Sequence, residues 1–136
     1  MRLPVLMTAN AATVADNLLH IQGGAWEHYA TPGFPAYIQG FLAGVVELEH
    51  HELQSSPTLR VSVADADGHE LGSSASMVIN GYRPSVLSDN TLRQPFALPF
   101  SVMMFAPGPI RIRVEANGEP LGSVDFMVAL LQAPSN

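Results

Sequence analysis

Along most of the chain, apolar and polar residues alternate with a period of two, the spacing that sends successive side chains to opposite faces of a pleated strand. Leu59, Val61 and Val63 alternate with Arg60, Ser62 and Ala64, and Ile110, Ile112 and Val114 alternate with Arg111, Arg113 and Glu115. From Ser123 to Leu131, Val124, Phe126 and Val128 stand opposite Asp125 and Met127. Asn117-Gly118 links these last two runs, and both residues accept the positive φ of a type I′ turn, so the pair predicts a hairpin. Gln94–Phe105 carries Phe96, Leu98, Phe100, Val102 and Met104 at a spacing of two, with Pro95 and Pro99 restricting it to a bulged or edge strand.

The first half is less regular. Leu3–Met7 reads as a first strand, and Leu18–Gln22 and Ala25–Tyr29 flank Gly23-Gly24, a second hairpin candidate. Tyr37–Leu48 is long enough for one strand, bulged or straight. Asp65-Ala66-Asp67-Gly68 closes a third hairpin before a strand at Ala75–Ile79. The one helix candidate, Ala11–Asn17, is short and lacks an amphipathic stripe, and so reads as an irregular link or an edge piece. About seven to nine short strands, punctuated by Gly and Pro, predict an all-β fold. The expected form is a two-sheet antiparallel β-sandwich, Ig-like or C2-like, in one domain spanning residues 1–136.

Composition narrows the function. Asp, Glu, Lys and Arg supply only 13% of the 136 residues, against roughly 25% in an ordinary soluble domain. A surface so poor in charge is either rich in neutral polar groups or covered by another protein. The formal charge is −6, and of the arginines only Arg111 and Arg113 lie close together, so no basic stripe is available for nucleic acid. The absence of lysine excludes Schiff-base and P-loop lysine chemistry. Without cysteine there is no disulfide, thiolate nucleophile or cysteine-bound metal. Arg2, Leu3–Met7 and Ala9-Asn10-Ala11 loosely mimic a signal peptide, but Pro4 interrupts a run shorter than an h-region. No window reaches the length of a membrane-spanning helix.

Few residues suggest chemistry. Asp65, Asp67 and Glu70 could wrap a calcium ion, although the same residues make an ordinary polar hairpin turn. Of the five histidines, which include His69, His20 and His28 flank the glycine pair and could meet on a metal only in a suitable register, and His50 and His51 are neighbours that face opposite ways on extended chain, so the default is solvated or hydrogen-bonded histidine. Gly72-Ser73-Ser74-Ala75-Ser76 lacks the second glycine of a nucleophile elbow. Trp26, Tyr29, Phe34, Tyr37, Phe41 and Tyr82 could form a sugar-stacking platform, but a lone tryptophan beside a hairpin is more often core. Asn80–Gln94 is the longest segment without a pattern, which makes it the first candidate for partner contact, through Tyr82, Arg83, Asp89 and Arg93.

Three stretches carry a resemblance to a family. They are ATVADNLLHIQGGAW (Ala12–Trp26), VADADGHEL (Val63–Leu71) and the closing PGPIRIRVEANGEPLGSVDFMV (Pro107–Val128). In order and spacing the chain resembles a small bacterial β-sandwich family known as a domain of unknown function, departing from it at Asn17-Leu18, where a glycine commonly precedes the strand. The resemblance implies a fold and no catalytic residue. The expected role is a non-catalytic interaction or assembly module with no cofactor, partnered by another protein or by itself, such as a component of a larger particle. The alternative is a module that binds carbohydrate or calcium. Its expected place is the cytoplasm or an assembled particle.

Overall fold

A computed structural model gives the structure of the chain and describes residues 1–79 and 91–132. Nine strands run through the described residues. They are β1 (Arg2–Ala15), β2 (Leu18–Gly24), β3 (His28–Thr31), β4 (Ala36–Glu49), β5 (Thr58–Ala64), β6 (Glu70–Val78), β7 (Thr91–Met104), β8 (Gly108–Ala116) and β9 (Glu119–Leu130), with one helical turn, α1 (His50–Leu53), after β4. They form a four-stranded sheet in the order β2-β1-β4-β7 and a five-stranded sheet in the order β3-β9-β8-β5-β6. The all-β sandwich expected from the alternation is the fold.

Each sheet buries one face against the other. Leu59, Val61 and Val63 of β5, Ile110, Ile112 and Val114 of β8 and Phe126 and Val128 of β9 meet Ile38, Leu42, Val46 and Leu48 of β4 and Phe96, Phe100 and Val102 of β7. Among the described residues, strand β7 pairs only with β4, the edge position its two prolines allow. Its outer side is approached by β6. A Cβ on Gly72 would lie 2.8 Å from the Ser101 carbonyl oxygen, so only glycine lets the two edges come this close.

Two of the three expected hairpins occur where the sequence places them. Asn117 and Gly118 have φ of 51° and 84° between β8 and β9. Asp65 closes the β5–β6 turn by accepting the backbone N–H groups of Asp67 and His69 on Oδ1, both at 2.9 Å. The third is displaced. The turn lies at Asp16-Asn17, whose φ values are 53° and 58°, and it joins β1 to β2. Asp and Asn are the non-glycine residues that best tolerate this region, so they can form a tight turn without glycine. Ala11–Asn17 is therefore the second half of a strand and its turn. Gly23 and Ala25, both with φ of 61°, lead the chain out of the four-stranded sheet, and β3 then lies parallel to β9 in the other. That single parallel pair is the exception to antiparallel order. It arises because β3 is reached by a crossing between sheets, which a two-residue hairpin cannot make.

Candidate functional site

Residues directly paired across antiparallel strands share a face, so the registers show what each sheet presents outward. On the five-stranded sheet the outer face is a charged ladder. Arg60 pairs with Glu70 and lies 3.8 Å from Glu115, and Arg111 holds Asp125 through two bonds of 2.8 and 3.1 Å. Ser62 and Arg113 lie between them in register.

The four-stranded sheet is different. Its outward positions on β4 are Tyr37, Gln39, Phe41, Ala43 and Val45, paired with Met103, Ser101, Pro99, Ala97 and Pro95 of β7. Beside them on β1 lie Ala9, Met7 and Val5. None of these residues is charged. Tyr37 is 54% exposed, Met103 46% and Val5 36%, whereas Ala9, Ala43 and Pro95 are buried, so the exposed apolar positions are separated by buried ones. Ser101 and Gln39 hydrogen-bond the Tyr37 oxygen and hold the phenol below its ordinary pKa. Among the described residues, β1 beyond Ala9 pairs only with β2 as a ribbon, and β2 comes near β4 and β7. Phe41 and the ribbon residues Ala11–Thr13 and Leu19–Gln22 line a groove of about 620 Å³.

The face ends in charge. Arg2 and Glu47 are register partners, and so are Glu47 and Arg93. Arg2 Nε donates to Glu47 Oε1 at 2.5 Å and Arg93 Nε to Oε2 at 2.7 Å, while the Glu47 side chain is only 7% exposed. The Arg93 hydrogen bond holds this carboxyl below the usual carboxylate range, opposed by burial and reinforced by Arg2. Asp125 is held low by Arg111, and Glu52 by the Met1 amino group and the Glu49 backbone N–H. The folded chain therefore binds these protons more weakly than the unfolded chain does. Their stabilisation is complete above the ordinary carboxylate pKa of about 4 and is lost as pH falls through the lowered folded values. Wild type and Glu47→Gln are expected to differ in unfolding temperature at neutral pH and to converge in acid. A difference that stayed constant with pH would show that the triad does not carry the effect.

The residues singled out from the sequence fall in several places. Asp65, Asp67 and His69 bring their ligating atoms within 4.8 Å of one another at the β5–β6 turn, whereas Glu70 turns to Arg60. Arg93 belongs to the Glu47 triad. Tyr82, Arg83 and Asp89 lie outside the described residues. His20 and His28 are on different sheets, and His51 lies 3.2 Å from Glu49 at the helical turn. Trp26 packs inward against Tyr29, Phe100 and Phe126 and donates its indole N–H to the Gly23 carbonyl at 2.8 Å, a core position. The serine string lies along edge strand β6.

Sequence reasoning missed the outer face of β4 and β7. Its signal was present. From Tyr37 to Val45 on β4 and from Pro95 to Met103 on β7, the positions between the core residues are apolar or small except Gln39, where a solvated face would carry charge. No helix among the described residues is long and apolar enough to cross a membrane. No curated protein matches the sequence. A profile of a family of unknown function, DUF6941, matches residues 4–129 and so spans both sheets and the uncharged face, and the chain belongs to that family.

Proposed function

We propose that the chain is a non-catalytic docking module that binds a protein surface through the outer face of its four-stranded sheet. The observation that carries this reading is the contrast between the two outer faces. One is laced with Arg–carboxylate pairs, and the other presents Tyr37, Phe41, Val45, Met103 and Val5 with no charge among them. Solvated antiparallel sheets normally alternate apolar and polar positions, so an outward face that exposes Tyr37, Met103 and Val5 and bears no charge between Tyr37 and Val45 supports an interaction site. The face is better suited to this than the β7 edge. Prolines remove two backbone donors from β7, and β6 lies against it.

The test is affinity capture from cells that express the chain, comparing wild type with Met103→Glu and with Ser123→Glu on the opposite, charged sheet. Wild type and Ser123→Glu are expected to hold the same protein, whether its own copy or another, and Met103→Glu to lose it. If nothing is held in a way that depends on Met103, the reading is wrong.

A further inference from the structure

We propose that a cleft between β1, β4, β6 and β7 binds a neutral oligosaccharide. The inference goes beyond the docking reading and does not rest on it. The cleft has a volume of about 620 Å³, and its walls include Asn10 of β1, Tyr37, Gln39 and Phe41 of β4, Ser74 of β6 and Ser101 of β7. That size falls among small-molecule sites, roughly 300–1,000 Å³.

The fold assembles these side chains from distant parts of the chain. Gln39 and Ser101 are register partners on β4 and β7. Gly72 lets β6 approach the Ser101 carbonyl, which sets Ser74, two residues on, in the wall of the cleft. On the other side of β4, Gly23 leaves room for the Asn10 amide, whose nitrogen stands 2.3 Å from where a Cβ on that glycine would be.

The chemistry of the walls selects the ligand. Among the described residues that line the cleft, none is charged. A phosphate or carboxylate is normally gripped by arginine or lysine, and here Arg2 and Arg93 are engaged at Glu47 while Arg60, Arg111 and Arg113 lie on the other sheet. A purely apolar ligand would strip water from the amides and hydroxyls and return no hydrogen bond. Amide and hydroxyl groups each donate and accept, as the hydroxyls of a sugar do. Tyr37 is 54% exposed, with Ser101 and Gln39 bonded to its oxygen, so a positioned aromatic ring is available to the apolar side of a pyranose. Tyr37 and Phe41 stand four residues apart on β4, about 13 Å at 3.3 Å per residue and longer than one sugar ring. Phe41 also lines the groove beside β2, so the two hollows adjoin at that ring. Both features favour an oligosaccharide over a monosaccharide.

Titration of the isotope-labelled chain with neutral tetrasaccharides of glucose, galactose, mannose, xylose and N-acetylglucosamine, followed by NMR, tests this. Circular dichroism shows that each variant is folded. At least one sugar should bind with a Kd below about 1 mM and shift the resonances of Asn10, Gln39 and Ser101. Gln39→Ala should weaken it about fivefold, the worth of one net hydrogen bond. Tyr37→Ala should weaken it about tenfold by removing the ring, and Tyr37→Phe much less. Ser123→Glu on the opposite sheet should change nothing. No binding of any of these sugars up to about 10 mM would overturn the inference. So would binding that survives both Gln39→Ala and Tyr37→Ala, because the sugar would sit elsewhere, or tighter binding of an acidic oligosaccharide than of its neutral counterpart. Met103-dependent protein capture without sugar binding would overturn this inference and leave the docking reading standing. Sugar binding that needs Gln39 and Tyr37, without such capture, would do the reverse.

Discussion

Replacing Phe96 with alanine is expected to lower the unfolding free energy by about 3–5 kcal/mol, the range for removing a fully buried aromatic ring and leaving a cavity. Phe96 is 1% exposed, and its register partner on β4 is Gly44. The ring occupies the space above that glycine. A Cβ on Gly44 would stand 2.8 Å from Phe96 Cζ and 2.6 Å from the Val5 carbonyl oxygen. Gly44→Ala is therefore also destabilising, and the double variant with Phe96→Ala does not recover the loss, because the Val5 contact is with backbone that cannot rotate away. Urea unfolding followed by fluorescence measures both, with a constant denaturant slope showing that the comparison is two-state. A loss below about 1 kcal/mol for Phe96→Ala would mean that the core closes over the gap, contrary to the close packing of Phe96 on Gly44.

Trp26→Ala should cost about 3 kcal/mol, at the lower end for large aromatic residues because the side chain is half-buried. Its ring lies 5.3 Å from that of Tyr29, 5.9 Å from Phe100 and 5.4 Å from Phe126, the last two edge to face. It ties the loop after β2 to both sheets, and a Cβ on Gly40 would meet it at 2.4 Å. Because the indole packs inward, the same substitution should leave Met103-dependent capture through the four-stranded sheet unchanged once the variant is compared at a temperature where it is fully folded. Calorimetric titration with a glycan panel separates the two roles for this tryptophan. A stacking platform would lose binding heat with little loss of stability, whereas a core residue shows the reverse.

How much was legible depended on whether the governing interaction was local. The Asn117-Gly118 and Asp65–Gly68 turns were readable because the conformational preference belongs to the turn residues themselves, and the edge position of β7 because Pro95 and Pro99 cannot donate. The Asp16-Asn17 hairpin was obscured by the stronger compositional mark of Gly23-Gly24 seven residues on, which serves instead to send the chain to the other sheet. The grouping of Asp65 and Asp67 was visible from their spacing. That His69 joins them and Glu70 turns to Arg60 was not, since Arg60 lies across the strand pair.

By itself the sequence determined most of the strands, the Asn117-Gly118 and Asp65–Gly68 turns and the alternation that makes one side of each strand apolar, because these are set by sterics and hydration within a few residues. Only the tertiary structure decided which strands are neighbours, and with that what each sheet presents to solvent. Tyr37 meets Met103, Val5 meets Val45, and Glu47 is held between Arg2 and Arg93, 45 and 46 residues away. Isolated apolar residues on separate strands are unremarkable, and they form the uncharged face proposed for docking only when pairing sets them side by side, a matter of non-local register.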